Sequence, residues 1–401
     1  MVRCVLWWSS QDGEFMFFLH HPLKTSLIAG WLLFTMASVS GIAQASYGAV
    51  AAGQGVFLSA DRIRQLQTRV ASHTEPNYSA YLEMKSLADA SLEREPHTPV
   101  DGHWQVPGFY QDTVGHRAAK NGLRDDANIA YALALTYRMT GDPAYAVAAA
   151  RLVRAWTMVT QLEAGDDSSL SFSYHFPAMI FAADLLRGSD AWSAEDEIQF
   201  QHYLNLVKTQ LRTWPVWHRD NNWGNWGLVL GFAIAAYNGD QQLFDEATHR
   251  WMELIPIQMD DRGHLVKEVR RNQGRGEHGI WYSHFTIGAS VIAAEIARIN
   301  GVDLFDYTSK DGRKLQTAFD TLAGWVRNPA SFPYYTGDLS QLHAINYVGY
   351  YEILSGRWSN PDAAASLATE RPTHMEHCAP YLSFTHAEIP VEAQAPPDPL
   401  P

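Results

Sequence analysis

Residues Tyr137–Tyr145 read YRMTGDPAY. A helical pattern runs into Gly141, and the next one opens on Asp142 and Pro143. Asp is a favoured N-cap, and Pro fits the first helical position, where its missing N–H has no partner to lose. The unit returns as YNGDQQLF at Tyr237–Phe244 and, more loosely, as INGVDLF at Ile299–Phe305. Each reads as the turn of an αα-hairpin, and hairpins at quasi-regular intervals predict a toroid or solenoid of helix pairs. Other helix boundaries agree. Ser193 with Asp196 forms a capping-box pattern, Pro215 punctuates the end of the helix that follows, and PAMIFAADLLRG starts on Pro177 and stops at Gly188. Strand patterns are scarce. The expectation is a single all-α domain over 46–385, followed by a disordered Pro-rich tail at 386–401.

The first 45 residues are expected to stand apart from that domain. LKTSLIAGWLLFTMASVSGIAQAS has a Lys, an apolar run and a small-residue ending at Ala43, Gln44 and Ala45, the pattern of a secretory signal cut after Ala45. The residues before Met16 read as an upstream extension. The expected location is periplasmic or secreted, with no membrane association once the leader is removed. The leader carries Arg3, Lys24, Asp12 and Glu14, so its loss leaves the formal charge of −13 unchanged. An acidic protein is a poor candidate for nonspecific nucleic-acid binding. Cys4 leaves with the leader, and Cys378 alone makes neither a disulfide framework nor a Cys-based metal site.

Four polar, aromatic stretches interrupt the helical pattern, at 101–126, 163–177, 214–226 and 261–285, and each is read as a loop on the scaffold where a site would sit. The 14 Trp residues suit either a core or sugar-stacking surfaces. In HRDNNWGNW, Asn221, Asn222 and Asn225 stand where a helix begins. One of them caps that helix, or a side-chain amide donates to a substrate carboxylate and acidifies the neighbouring C–H. In NQGRGEHGIWYSHF, Arg275 and Tyr282 are seven apart and share a face if the segment is helical. A guanidinium beside a phenol favours the phenolate, which moves protons, whereas a core anchor is the plainer reading of Tyr282. Arg262, Lys267, Arg270, Arg271 and Arg275 place five cations in fourteen residues of an acidic chain, a local excess suited to an anionic polymer.

The runs ALTYRMTGDPAYAVAAARLVRAW, NNWGNWGLVLGFAIAAYNGD and GRGEHGIWYSHFTIGASVIAAEIARINGVDLF resemble the alginate lyase superfamily of polysaccharide lyases, over about residues 100–370. The resemblance implies an (α/α) toroid that cleaves uronic-acid polymers by β-elimination with no metal or other cofactor. It implies an Asn-Asn-His segment and an Arg and Tyr seven residues apart, which map onto Asn221–Asn222 and Arg275…Tyr282. Trp223 stands where the pattern has His. Either another His enters the site, with His175 the first candidate and His278 and His284 next, or the site works without one; the expected catalytic set is Tyr282, Arg275, Asn222 and His175. Asn221, Trp226, His278, His284, Arg270, Arg271 and Lys267 are expected to bind an anionic polysaccharide. Two other readings stay open. One is a glycoside hydrolase pairing two carboxylates from Asp125, Asp126, Asp220 and Glu277; the other is a silent glycan-binding protein.

Overall fold

A computed structural model of the chain describes residue 50, residues 54–342 and residues 345–388, with backbone alone at 341 and 345–347. The leader-like segment 1–45 lies outside the described residues, as does the chain beyond 388. Twelve helices carry the architecture: α1 (Ala60–Ala71), α2 (Asn77–Ala90), α3 (Thr113–Thr140), α4 (Pro143–Trp156), α5 (Ser168–His175), α6 (Pro177–Leu186), α7 (Ala194–Leu211), α8 (Pro215–His218), α9 (Asn222–Asn238), α10 (Gln241–Gln258), α11 (Gly279–Ile299) and α12 (Leu315–Arg327). Three further helices follow at Tyr351–Ser355, Pro361–Glu370 and Leu382–Thr385. Among the described residues the strands are one parallel pair, His103–Trp104 on Gln161–Leu162.

The hairpin turns form as their residues dictate. Gly141 and Gly239 adopt left-handed φ of 73° and 66°, a conformation glycine takes without a Cβ clash, and Asp142 and Asp240 cap α4 and α10. The third turn departs from the pattern. Asp303 caps only the 3-10 turn Leu304–Asp306, and α12 begins nine residues later at Leu315. Ser193 and Asp196 complete the capping box of α7, with Ser193 N donating to Asp196 Oδ2 at 2.8 Å. That helix ends at Leu211, and Pro215 opens α8 rather than closing α7.

Burial sorts the helices into two layers. α6, α9 and α11 are buried on nearly every face and form the inner layer with the C-terminal half of α3. Helices apolar all round must be interior. Contacts run α3–α6–α9–α11 along this layer, while α4 packs on α3 and α6, α7 and α10 on α9, and α12 on α11. The result is an incomplete (α/α) toroid. Three of the stretches read as loops are largely helical: 113–126 opens α3, 168–175 is α5, and 214–226 holds α8 and the start of α9.

The C-terminal segment seals the toroid and runs further than expected. Arg62 and Arg69 both hold Ala387 O and Glu388, Asn77 Nδ2 donates to Phe384 O at 2.7 Å, and His386 is buried against Phe57 and Glu295. The folded chain thus continues through Glu388, three residues past the boundary at 385. Asn225 serves the frame as well: its Nδ2 donates to Ser290 at 2.7 Å and to Gln258 at 3.1 Å, tying α9 to α11 and α10.

Buried neutral imidazoles make this frame acid-sensitive. Burial holds His284 and His377 down to about 3. Below pH ~6.5 the unfolded chain takes up protons that the folded chain refuses, so stability is complete above that pH and declines as pH falls towards 3. Each group contributes up to about 1.4 kcal/mol per pH unit across that window. The expected result is a melting temperature that drops steadily between pH 7 and pH 5; a flat curve there contradicts the assignment.

Candidate active site

The loop between α10 and α11 folds back on itself before α11 begins. Asn272, Gln273, Gly274 and Gly276 all have positive φ, and Gly276 N donates to Arg271 O at 3.1 Å. Glycine is required at 276, where a Cβ would stand 2.2 Å from Tyr334 O. This reversal decides which arginine meets Tyr282. Residues 275–278 are not helical, so Arg275 and Tyr282 share no helix face. Arg275 is exposed and leans on Glu277, which also accepts from Asn272 Nδ2. Arg271 takes the place expected of Arg275, with its guanidinium carbon 4.9 Å from the centre of the Tyr282 ring.

Hydrogen bonds flank that pair on both sides. Glu268, only 1% exposed, accepts from Asn222 N at 2.9 Å, Asn222 Nδ2 at 3.0 Å and Arg271 Nε at 2.7 Å. The Tyr282 hydroxyl lies 2.8 Å from that of Tyr110, a residue 64% exposed on the turn before α3. Burial, and then Tyr110, push the Tyr282 phenol well above its ordinary value; Arg271 pulls the other way and loses. The sequence expectation of a lowered phenol is therefore reversed. Burial also weighs against the charged form of Arg271, yet Glu268 more than offsets it and Arg271 stays firmly protonated.

The remaining predicted residues divide sharply. Asn221 is the N-cap of α9, its Oδ1 accepting from Trp223 N at 3.1 Å. His278 ends the loop half-buried, with its ring 6.4 Å from that of Tyr282. Lys267 and Arg270 are exposed, and Arg270 lies over the Tyr334 ring. Three others are enclosed and cannot touch a polymer from where they stand. His175 is fully buried, packed on Tyr174 and stacked on His377, and neither ring nitrogen has a hydrogen-bond partner among the described residues; burial drives its basicity far below the usual imidazole. It is not placed to replace the missing His. Trp226 is 0% exposed in a cluster with Tyr174, Phe285 and His377. His284 is buried with Nδ1 on the Tyr350 hydroxyl at 2.9 Å. All three lie on helices that are buried on nearly every face, where chemistry-bearing side chains become core.

Trp223, at the position where the family pattern has His, is buried under the Arg219 guanidinium, whose carbon is 4.0 Å from the ring centre. The four carboxylates considered for hydrolysis do not pair with one another. Asp126 is buried on Arg94, His97 N and Trp156 Nε1, Asp125 is held by Arg124, Asp220 by Arg250, and Glu277 faces Arg275. Sequence reasoning missed both Tyr110, 172 residues from its partner, and Glu268. The one available signal for Glu268 was an acid inside an otherwise basic run.

The comparisons with known proteins agree with this architecture. The chain is 26% identical over 242 residues to a polysaccharide lyase of Stenotrophomonas maltophilia, covering 57% of this chain and 69% of that protein. Its fold is similar to that of an alginate lyase from Bacteroides ovatus (TM-score 0.67, 18% identity, 84% of this chain and all of that one). It is also similar to alginate lyase A1-III from Sphingomonas species A1 (TM-score 0.65, 16% identity, 86% and 98%). A Tyr-to-Phe variant of A1-III, solved with a tetrasaccharide, matches with a TM-score of 0.69 at 17% identity over 86% and 98%. The alginate lyase family model matches residues 67–332, and the chain belongs to that family of polysaccharide lyases.

Proposed function

We propose that the protein cleaves a uronic-acid polymer by metal-independent β-elimination, with Tyr282 as the proton-transfer group and Asn222 and Arg271 as the pair that binds the C5 carboxylate. The observation that carries this reading is the run of contacts Asn222–Glu268–Arg271–Tyr282. Elimination requires that the carboxylate be neutralised, the C5 proton removed and the departing glycosidic oxygen protonated. One N–H of the Asn222 amide and the Arg271 Nη groups are the donors for the first task, so no metal Lewis acid is needed. Tyr282 is the group for the other two. The phenolate, which burial disfavours and Arg271 favours, takes the C5 proton; the phenol so formed returns that proton to the departing C4 oxygen.

Trp223 narrows the substrate. It leaves α9 without a proton acceptor at the position where the family pattern has one, so the proton chemistry falls on the side that carries Tyr282. A single phenol works on one face of the sugar ring. In mannuronate and glucuronate the C5 hydrogen and the C4 oxygen share a face; in guluronate they are opposed. The reading is therefore a lyase for mannuronate- or glucuronate-type linkages. Exposed Lys267 and Arg270 suit more distant carboxylates of such a chain. A polymer substrate also suits an exported enzyme, which the leader-like segment 1–45 supports; the mass of the mature N-terminus in a periplasmic extract tests it.

Tyr282→Phe keeps the ring and is expected to lower kcat by about 10²-fold or more with KM little changed. A kcat within a few-fold of the parent sinks the mechanism. Arg271→Met is expected to cost about 10²-fold in kcat/KM, while Arg275→Ala stays within about threefold of the parent; the reverse order restores Arg275 to the site. The ultraviolet absorbance of the unsaturated uronate product is expected to grow on polymannuronate or glucuronan, unaffected by chelator, and not on polyguluronate. On the preferred polymer kcat is expected to climb with pH by up to about tenfold per unit through the mildly alkaline range, following the phenolate fraction. A plateau at neutrality instead assigns the base to His278.

A further inference from the structure

Glu268 belongs to none of the motifs that suggested the activity, yet among the described residues it is the group bonded to both candidate carboxylate-binding residues. The geometry assigns Glu268 as the positioning residue of the elimination site, its two oxygens dividing between Asn222 and Arg271; this assignment rests on the proposed elimination. Oε1 takes the backbone N–H and the Nδ2 of Asn222, and Oε2 takes Arg271 Nε. Each bond leaves its donor partly spent in a defined way.

Asn222 is 1% exposed, and its Oδ1 has no hydrogen-bond partner among the described residues. The amide orientation is therefore set by Glu268 alone, and one N–H of Nδ2 remains to be used. Arg271 spends Nε on Glu268, and its Nη groups make no hydrogen bond among the described residues. A guanidinium gripped at Nε presents its outer donors as a fixed fork, the geometry that recognises a carboxylate. Glu268 also cancels the charge of Arg271 beside Tyr282. The titratable and charged groups facing Tyr282 are Tyr110 from the turn before α3, Arg271 and Glu268 from the loop, and His278 one turn back on the chain.

Glu268→Gln separates the two halves of this role. The carboxamide oxygen still accepts both N–H groups of Asn222, but its NH₂ now faces Arg271 Nε, donor against donor. Asn222 is kept and Arg271 is released. The expected result is a kcat lower by about tenfold or more, with the fold intact and KM moved much less. Loss of the negative charge also leaves Arg271 uncompensated, which favours the phenolate. The alkaline rise of kcat is therefore expected at lower pH than in the parent. Glu268→Asp keeps the charge but, one methylene shorter, does not span both partners, so it is expected to lower kcat without that displacement.

The cycle with Arg271→Met closes the test. If Glu268 acts through Arg271, E268Q/R271M is no slower than R271M. The double variant removes the buried pair together, so it also serves if E268Q alone fails to fold. Losses that add in the double variant, or an E268Q profile that superimposes on the parent, overturn the assignment. Tyr282→Phe separates this failure from that of the underlying reading. If Y282F is inactive while E268Q is unaffected, only Glu268 is misassigned; if Y282F turns over normally, the elimination reading itself fails.

Discussion

A carboxylate with 1% exposure must be surrounded by donors, because a buried charge without them is too costly to retain. Glu268 meets that demand from two directions, the first turn of α9 and the loop that follows it by three residues. Much of the site follows from this. Asn222 N is one of the unsatisfied donors at a helix start, and Glu268 satisfies it while Asn221 caps its neighbour Trp223. Arg271 reaches the same carboxylate locally, three residues on, and the chain then reverses between 271 and 279, through four residues at positive φ. That reversal sets where α11 begins, and hence where Tyr282 points. Removing one partner from such a pair costs about 3–5 kcal/mol in other proteins, since the survivor is left charged and buried.

The toroid was legible because its signals are local. A Gly that turns the chain and an Asp that caps the next helix act within a few residues, so Gly141–Asp142, Gly239–Asp240 and Ser193–Asp196 could be read directly. The site was legible only in part. The sequence singled out Asn222 and Tyr282, which the structure links through Glu268 and Arg271, but the spacing argument for Arg275 assumed a helix across 275–282. The left-handed residues at 272–276 break that helix, and a seven-residue spacing then says nothing about a shared face. His175, Trp226 and His284 failed for another reason. Sequence pattern marks residues rich in chemistry, not whether an inner helix encloses them on every side. Tyr110 depends on a contact across 172 residues, which no local pattern encodes.

The His-to-Trp change on α9 gains meaning from these contacts. With His175 and His284 sealed in the core, the proton-carrying groups around Tyr282 are Tyr110 and His278. The exposed Tyr110 stands over the Tyr282 hydroxyl, so a polymer entering the site must either displace it or share it. Beneath lies an aromatic floor of Tyr174, Trp226, Phe285 and His377, with Tyr282 packed on Phe285 and Lys120 over Tyr174. Its rigidity, rather than stacking on sugar, is the contribution assigned to Trp226.

The most direct measurement is a crystal structure of the Tyr282→Phe variant with a mannuronate or glucuronate tetrasaccharide spanning the scissile bond. One C5 carboxylate is expected within hydrogen-bonding distance of Asn222 Nδ2 and the Arg271 Nη groups. The ring at 282 is expected on the face that carries both the C5 hydrogen and the C4 oxygen. A carboxylate held by Arg275, or a sugar whose C5 hydrogen points towards Trp223 and away from residue 282, would contradict this mechanism.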